Sequence, residues 1–395
     1  MEIRLCKKDE IDQVKDIWKY CFEDSEAYVN FYFDKKFNHN NVVVSKDGDR
    51  LISSIHLNQH DILMNGKKLN TSYVVGVSTL PEARGRGIMN GMMLESLKEM
   101  LRRGQSISIL MPIDFRLYTK FGFSNCYDMI LNSVGIFDLK KFKYTGDFKK
   151  ATMKDASELK NIYSSAVSDY NGFALRDEAY FLDLIEEMAV DGGNIYINYI
   201  NGIPSGYIVY SISGGVFIIR EIYSIDITSY KSILKFVFNH NTQCKRVEMM
   251  SSIDDPLRIL LDNPKDATFE IKPFMMARII DFKKYINDCG FIIRKSSDEE
   301  SILIKINDEY LTNNDKVFKL VNKSGILFVE DSCSQEYEIE LDISEATKIF
   351  TKYSSIDEAL KLREDYFSVR ENGLKDRLER LLSFSKEVNH INEYV

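Results

Sequence analysis

The run Val75-Gly76-Val77-Ser78-Thr79-Leu80-Pro81-Glu82-Ala83-Arg84-Gly85-Arg86-Gly87-Ile88-Met89-Asn90-Gly91 reads as a strand, a tight glycine turn and the start of a helix reaching about Leu101. Such a turn aims several backbone N–H groups into one concavity at the positive end of a helix, which is the chemistry that grips a pyrophosphate. Gly85 and Gly87 let the backbone approach an anion, and Arg84 and Arg86 add charge and forked donors. Spacing removes two rival phosphate motifs. The P-loop pattern Gly-x-x-x-x-Gly-Lys-Ser/Thr is absent, and the glycines at 85, 87 and 91 are two and four apart rather than two and three as in a dinucleotide fingerprint. An Arg/Gly surface turn that only caps a helix is the alternative.

A second candidate site is acidic. Glu23-Asp24-Ser25-Glu26 stands beside Tyr28, Phe31, Tyr32 and Phe33, and an acidic, aromatic wall suits a cationic amine such as a polyamine or an aminoglycoside. A solvated acidic loop leading into an amphipathic helix is the other reading of the same residues.

The elements that must position these residues are mixed α/β. Strand Ile3 to Cys6 leads into a helix with Ile11, Val14, Ile17 and Trp18 on one face. The pattern returns at Phe148 to Thr152, followed by Ala156, Leu159, Ile162 and Tyr163, which points to an internal duplication with a period of about 145 residues. In the first copy, strands Asn41 to Ser45, Leu51 to Gln59 and Asp61 to Met64 precede an Asn65-Gly66 hairpin turn and strand Leu69 to Thr79. In the second, Asn194 to Ile200, Gly206 to Ser213 and Phe217 to Ile225 are separated by Asn201-Gly202 and Gly214-Gly215. From about Phe274 the pattern changes to a helix, Ile279 to Cys289, then strands 301–306, 317–322 and 326–330 and helices 344–350 and 355–359. Residues 1–145, 146–280 and 281–395 are the expected units, packed together without a Pro- or Ser-rich linker.

Composition bounds the function. With 395 residues, 44% apolar and 28% charged, the chain is an ordinary globular protein. Charged residues crowd the first twenty positions and leave no secretory h-region, and no apolar run reaches the length of a membrane span. The six cysteines and five histidines form no metal-ligand spacing, so free thiols in a reducing, cytoplasmic compartment and no metal are expected. A net charge of −8 argues against a nucleic-acid partner and is compatible with a cationic one. Abundant Lys, Ile and Asn point to an AT-rich bacterial genome.

Arg84-x-x-Gly87 after a strand ending Val-x-Thr-x-Pro resembles the acetyl-CoA motif of the GNAT acetyltransferases. A second family element stands 34 residues on, where Leu117-Tyr118-Thr119-Lys120-Phe121-Gly122-Phe123 follows strand Ser106 to Met111. Met89, a large apolar residue where most of the superfamily has Gly or Ala, is similar to the enhanced intracellular survival (Eis) branch. That branch joins two GNAT domains, the second without the glycine motif, to a sterol-carrier-protein-like domain. Here the second copy has Ile225-Asp226-Ile227-Thr228-Ser229-Tyr230 in place of the turn, and Lys272-Pro273-Phe274-Met275-Met276-Ala277-Arg278 resembles the entry into the last domain.

The resemblance implies a mixed α/β fold of two GNAT-like mixed-sheet domains plus an α+β sterol-carrier-like domain, assembled as a homohexamer. It implies an N-acetyltransferase that uses acetyl-CoA as co-substrate and a primary amine as acceptor, whether an aminoglycoside, a polyamine or a lysine side chain. Tyr118 matches the proton donor, and a phenol with a pKa of about 10 can protonate a thiolate whose acid lies near 8.5. Val77, Ser78 and Thr79 would hold the pantetheine amides and the thioester oxygen. The turn Arg84, Gly85, Arg86, Gly87, Ile88, Met89, Asn90 would hold the pyrophosphate, and Ile113 and Asp114 would line the cofactor further on. Asp114 reads equally as a helix N-cap. The base implied is the terminal carboxylate of Val395. A CoA-binding regulatory or ligand-binding protein on the same scaffold, without turnover, is the alternative.

Overall fold

The computed structural model describes residues 1–293, 299–362 and 373–394. Seventeen strands are formed among them: β1 (Glu2–Leu5), β2 (Val42–Asp47), β3 (Arg50–Met64), β4 (Lys67–Thr79), β5 (Ile107–Leu110), β6 (Ser124–Gly135), β7 (Asp147–Lys150), β8 (Phe173–Ala174), β9 (Asn194–Ile200), β10 (Ile203–Ser213), β11 (Val216–Ser224), β12 (Arg246–Ser252), β13 (Thr268–Ile279), β14 (Ser301–Asn307), β15 (Lys316–Lys323), β16 (Ile326–Asp331) and β17 (Ile339–Asp342). The helices are α1 (Ile11–Cys21), α2 (Glu26–Phe31), α3 (Ile88–Arg102), α4 (Arg116–Thr119), α5 (Ala156–Ala166), α6 (Glu178–Val190), α7 (Ile227–Phe238), α8 (Leu257–Leu260), α9 (Phe282–Cys289), α10 (Ile343–Phe350), α11 (Ile356–Leu362) and α12 (Leu374–Leu381).

Hairpins form where the sequence carries turn dipeptides. Asn65 and Gly66, Asn201 and Gly202, and Gly214 and Gly215 all take positive φ, as two-residue turns between right-twisted strands demand. Leu51 to Met64, read as two strands, is one continuous strand β3 with no break at His60. The helix read from Ile279 starts instead at Phe282, because Ile279 still belongs to β13 and the Asp281 carboxylate caps α9 by accepting from the Lys284 N–H at 2.9 Å.

Among the described residues a thirteen-stranded sheet runs β1-β2-β3-β4-β5-β13-β6-β12-β11-β10-β9-β7, with β8 on β3. Its order shows the duplication. The edge strand β1 with helix α1 has its counterpart at the other edge in β7 with α5, and parallel pair β4/β5 has its counterpart in β11/β12. The halves exchange their last strands: β6, which follows β5 in the chain, pairs with β12, and β13, which follows β12, pairs with β5. The two exchanged strands pair with each other at the centre of the sheet.

A four-stranded sheet β16-β15-β14-β17 forms the last unit with α9 and α10. One apolar cluster joins it to the large sheet, from Tyr73 and Ile107 through Met275 and Phe282 to Ile304 and Phe350. A fully buried ion pair, Arg278 Nη2 to Asp308 Oδ1 at 2.8 Å, crosses the same boundary. No helix of the described residues is long and apolar enough to cross a membrane.

Candidate active site

Strands β4 and β5 run parallel only over Ser72 to Val74 and Ser108 to Leu110. Beyond Leu110 β5 ends, while β4 continues to Thr79 with only β3 beside it, so a V-shaped cleft opens. A bulge at Gly76 bends β4 there. Gly76 has φ +57°, and a Cβ on it would sit 2.4 Å from Cζ3 of Trp18, so both conformation and space require glycine. The Leu80 N–H bonds back to Ile52 O at 2.9 Å. Strand alternation therefore turns the backbone groups of Val77 and Thr79 the other way, toward the cleft. The Ser78 side chain is buried against the Ser54 hydroxyl at 2.9 Å, which makes Ser78 a support for this edge rather than a lining residue.

At the head of the cleft lies the glycine turn. Gly85 and Gly87 take φ of +74° and +72°, and a Cβ on either would meet nothing within 4 Å. Their conformation and the open space before them fit a cradle for a bulky anion. Gly87 is the N-cap of α3 and no side chain caps the helix, so first-turn N–H groups are left for a ligand. Arg84 and Arg86 are exposed; the first donates from Nε to Thr79 O at 3.0 Å and the second pairs with Asp47 at 2.9 Å. Ile88 is buried beneath the turn and Met89 is half-buried. Asn90 accepts from Lys120 Nζ at 2.9 Å, which ties α3 to the segment carrying Tyr118.

Tyr118 sits on the short helix α4, 6% exposed, in the same apolar cluster as Val74 and Leu110, the last paired residues of β4 and β5. Val77 and Met89 pack on that cluster's margin. Burial pushes the Tyr118 phenol above its ordinary value, so it holds its proton at neutral pH, the state a general acid needs. Gly122, four residues on, takes φ +81° against the buried Arg278 guanidinium, and so the last unit buttresses this segment. Ile113 is 91% exposed beyond β5. Asp114 accepts from the Arg116 N–H at 2.9 Å and from its guanidinium at 2.6 Å, so its carboxylate caps this turn locally.

In the second copy β11 and β12 also pair in parallel, from Val216 and Arg246 to Ile219 and Met249, and then part. A bulge at Arg220 matches that at Gly76. The anion turn is gone. Helix α7 is capped by its own Asp226 carboxylate, which accepts from the Ser229 N–H at 2.8 Å.

Three family models match the chain: an acetyltransferase (GNAT) domain over residues 2–126, a second acetyltransferase (GNAT) domain over 172–279, and a sterol carrier protein domain over 282–383. By its two matched domains the chain belongs to the GNAT acetyltransferases. Its fold is also that of a probable N-acyltransferase from Enterococcus faecalis, with TM-score 0.87 and 20% identity over 100% of this chain and 99% of that one. A GCN5-related N-acetyltransferase from Anabaena variabilis superposes with TM-score 0.84 at 20% identity, each chain covered in full. Eis1 from Mycobacterium abscessus does so with TM-score 0.75 at 16% identity, again over both whole chains. No curated protein matches the sequence.

In this acetyltransferase the C-terminal segment is buried. Asn389, His390, Asn392 and Glu393 are each 5% exposed or less. The Glu393 carbonyl accepts from the Tyr73 hydroxyl at 3.2 Å, one residue before the last β4/β5 pair, and Tyr394 packs edge-on against Phe274. Val395 lies outside the described residues. Arg176, with no exposure, pairs with Glu221 at 2.9 Å and with Glu393 at 2.9 Å. Burial works against the Arg176 charge, and the two carboxylates outweigh it, holding its pKa well above the ordinary value.

Tyr394 also borders a cavity of about 610 Å³ lined by Glu23, Asp24, Ser25 and Tyr28 from the first copy and by Glu187, Asp191 and Arg220 from the second. The acidic run read from sequence reaches this cavity, but its aromatic partners divide. Phe31, Tyr32 and Phe33 are core residues; Tyr32 stacks on Trp18 at 4.4 Å and shares a hydrogen bond with His56. Glu26 pairs with Lys19 at 2.7 Å instead of lining the cavity. Arg176, Glu187, Arg220 and Glu221 went unread in the sequence, because no local spacing joins residues that only the fold brings to the tail.

Proposed function

We propose that the chain transfers the acetyl group of acetyl-CoA to a primary amine, with the first copy as the catalytic domain. The observation that carries this reading is the cleft itself: a parted β4/β5 edge, an open left-handed glycine turn at the start of α3, and a buried, protonated Tyr118 in the cluster at the point of parting. Acetyl-CoA would supply the activated thioester. Backbone N–H groups from Gly85 to Asn90, with Arg84 and Arg86, would hold the pyrophosphate, and Ile113 would cover an apolar part of the cofactor. The Val77 and Thr79 edge would bind the pantetheine amides and offer an N–H to the thioester oxygen, where charge develops during attack. Tyr118 would donate its proton to the departing sulfur.

The acceptor is proposed to be cationic. Glu23, Asp24, Glu187, Asp191 and Glu248 surround the large cavity, with Arg220 already paired to Glu187 at 2.6 Å. With Glu187 held by Lys36 at 2.7 Å as well as by Arg220, the other four carboxylates favour an amine with more than one positive charge, such as a polyamine, an aminoglycoside or a lysine-rich peptide. The proton leaving that amine needs a base. The carboxylate of Val395 is proposed for it, supported by the course of residues 389–394 toward Tyr73. A homohexamer is proposed on the family resemblance, and a cytoplasmic location on the charged first twenty residues and the scattered cysteines.

The test is release of free thiol from acetyl-CoA against polyamines, aminoglycosides and lysine peptides. Turnover with at least one class is expected. CoA binding without release for any acceptor would support a regulatory protein instead.

A further inference from the structure

We propose that the second copy's cleft is a receptor for an extended peptide, and that its occupant is this chain's own segment 389–394. The cleft has the form of the first one. Strands β11 and β12 part after Ile219 and Met249, and the free edge of β11 carries the bulge at Arg220. Into this gap comes Asn392, whose side-chain amide donates to Arg220 O at 3.0 Å, the kind of bond that an amide of a pantetheine arm would make on such an edge. His390 shares a 2.9 Å hydrogen bond with the Tyr223 hydroxyl of the same strand. Backbone and side chain are both claimed: Asn392 O accepts from Arg176 Nη2 at 2.7 Å, Glu393 from Arg176 Nε at 2.9 Å, and the His390 N–H reaches Asn171 O at 3.0 Å.

One further observation argues against a cofactor of the first kind in the second cleft. Asp226 fills the start of α7 with its own carboxylate, where an anion would have to bind. The second domain thus acts as a holder: it grips residues 390–392, while the Asn389 amide is held by Cys126 O and Thr351 O at 3.0 Å each, and it hands Glu393 and Tyr394 across to Tyr73 and Phe274 of the first cleft's neighbourhood. Arg176, Tyr223 and Asn392 are positioning residues in this scheme.

The test is hydrogen exchange by mass spectrometry on the full-length chain, with and without CoA, together with calorimetry of CoA binding. Peptides covering 389–394 and 220–224 should open together, their protection should be indifferent to saturating CoA, and one CoA should bind per chain. The double variant Asn392→Ala/Tyr223→Phe should raise exchange of 389–394 at least tenfold and leave 107–110 unchanged. Exchange of 389–394 at free-peptide rates in the unaltered chain would overturn the proposal. So would two CoA molecules per chain with 220–224 newly protected, or a double variant whose tail exchanges as before. Protection as expected with no CoA bound at all would uphold this inference and sink the cofactor assignment of the first domain, so the two readings fail separately.

Discussion

Replacing Arg176 by Met tests the tie between the tail and the second domain. The guanidinium makes two contacts to Glu221 at 2.9 and 3.0 Å, one to Glu393 at 2.9 Å and one to the Asn392 carbonyl at 2.7 Å, with the three ionic side chains at 0 to 2% exposure. Met fills the space and supplies none of these donors. Two carboxylates are then left buried without a cation, which costs about 3–5 kcal/mol when one partner of a buried pair is removed, and an orphaned carbonyl adds about 1–3 kcal/mol. A loss on the order of 5 kcal/mol corresponds to roughly 10–20 °C in Tm at about 2–4 °C per kcal/mol. The triple variant Arg176→Met/Glu221→Gln/Glu393→Gln removes the stranded charges and should recover most of the loss. Thermal and urea unfolding of both proteins against the parent measure this. A single variant that loses less than about 1 kcal/mol, or a triple variant no more stable than the single, would refute the buried-charge account.

Tyr118→Phe keeps the ring and removes the proton; kcat should fall by about 10²–10⁴ with CoA affinity within twofold, and an equal loss in both would make Tyr118 structural. Gly87→Ala places a methyl on a residue at φ +72°. A stability loss of about 1–2 kcal/mol and a CoA affinity lowered at least tenfold by calorimetry are expected, and unchanged affinity would leave the turn as a helix cap alone. Asp255, buried in the second copy, has its carboxyl pushed up by burial to about 6 from 3.8. Because the folded value is the higher one, its contribution to stability is full below pH ~4 and is lost as pH rises through ~6. Asp255→Asn should therefore gain Tm relative to the parent between pH 4 and pH 7, and a pH-independent difference would contradict this.

Legibility followed distance along the chain. Asn65-Gly66, Gly85 and Gly87 announce their turns because the constraint that selects glycine is local, and Tyr118 stands in a motif of seven consecutive residues. The two apolar helical faces near Ile11 and Ala156 exposed the duplication for the same reason. The exchange of β6 and β13 between halves left no such mark, since a strand's residues report that it is buried but not which neighbour buries it. Arg176 and Glu393, separated by 217 positions, carry no shared spacing. The sequence leaves Phe31, Tyr32 and Phe33 open between a cavity wall and a helix face, because a run of aromatics signals burial without saying whether a cavity or a core receives it; the fold puts them in the core.

The crossed central strands bear on how the polypeptide matures as it leaves the ribosome. The edge of β5 is not covered until residues 276–279 have been made, and β6 has neither of its neighbours before 246. A nascent chain stalled near residue 145 would therefore hold three bare edges, two of them on the twelve-residue β6, open to pairing with another nascent chain. Synthesis has to pass both copies before the shared sheet is complete, so the enzyme's halves gain native stability late and together, and expressing the first copy alone would yield an aggregating fragment in place of a minimal catalyst.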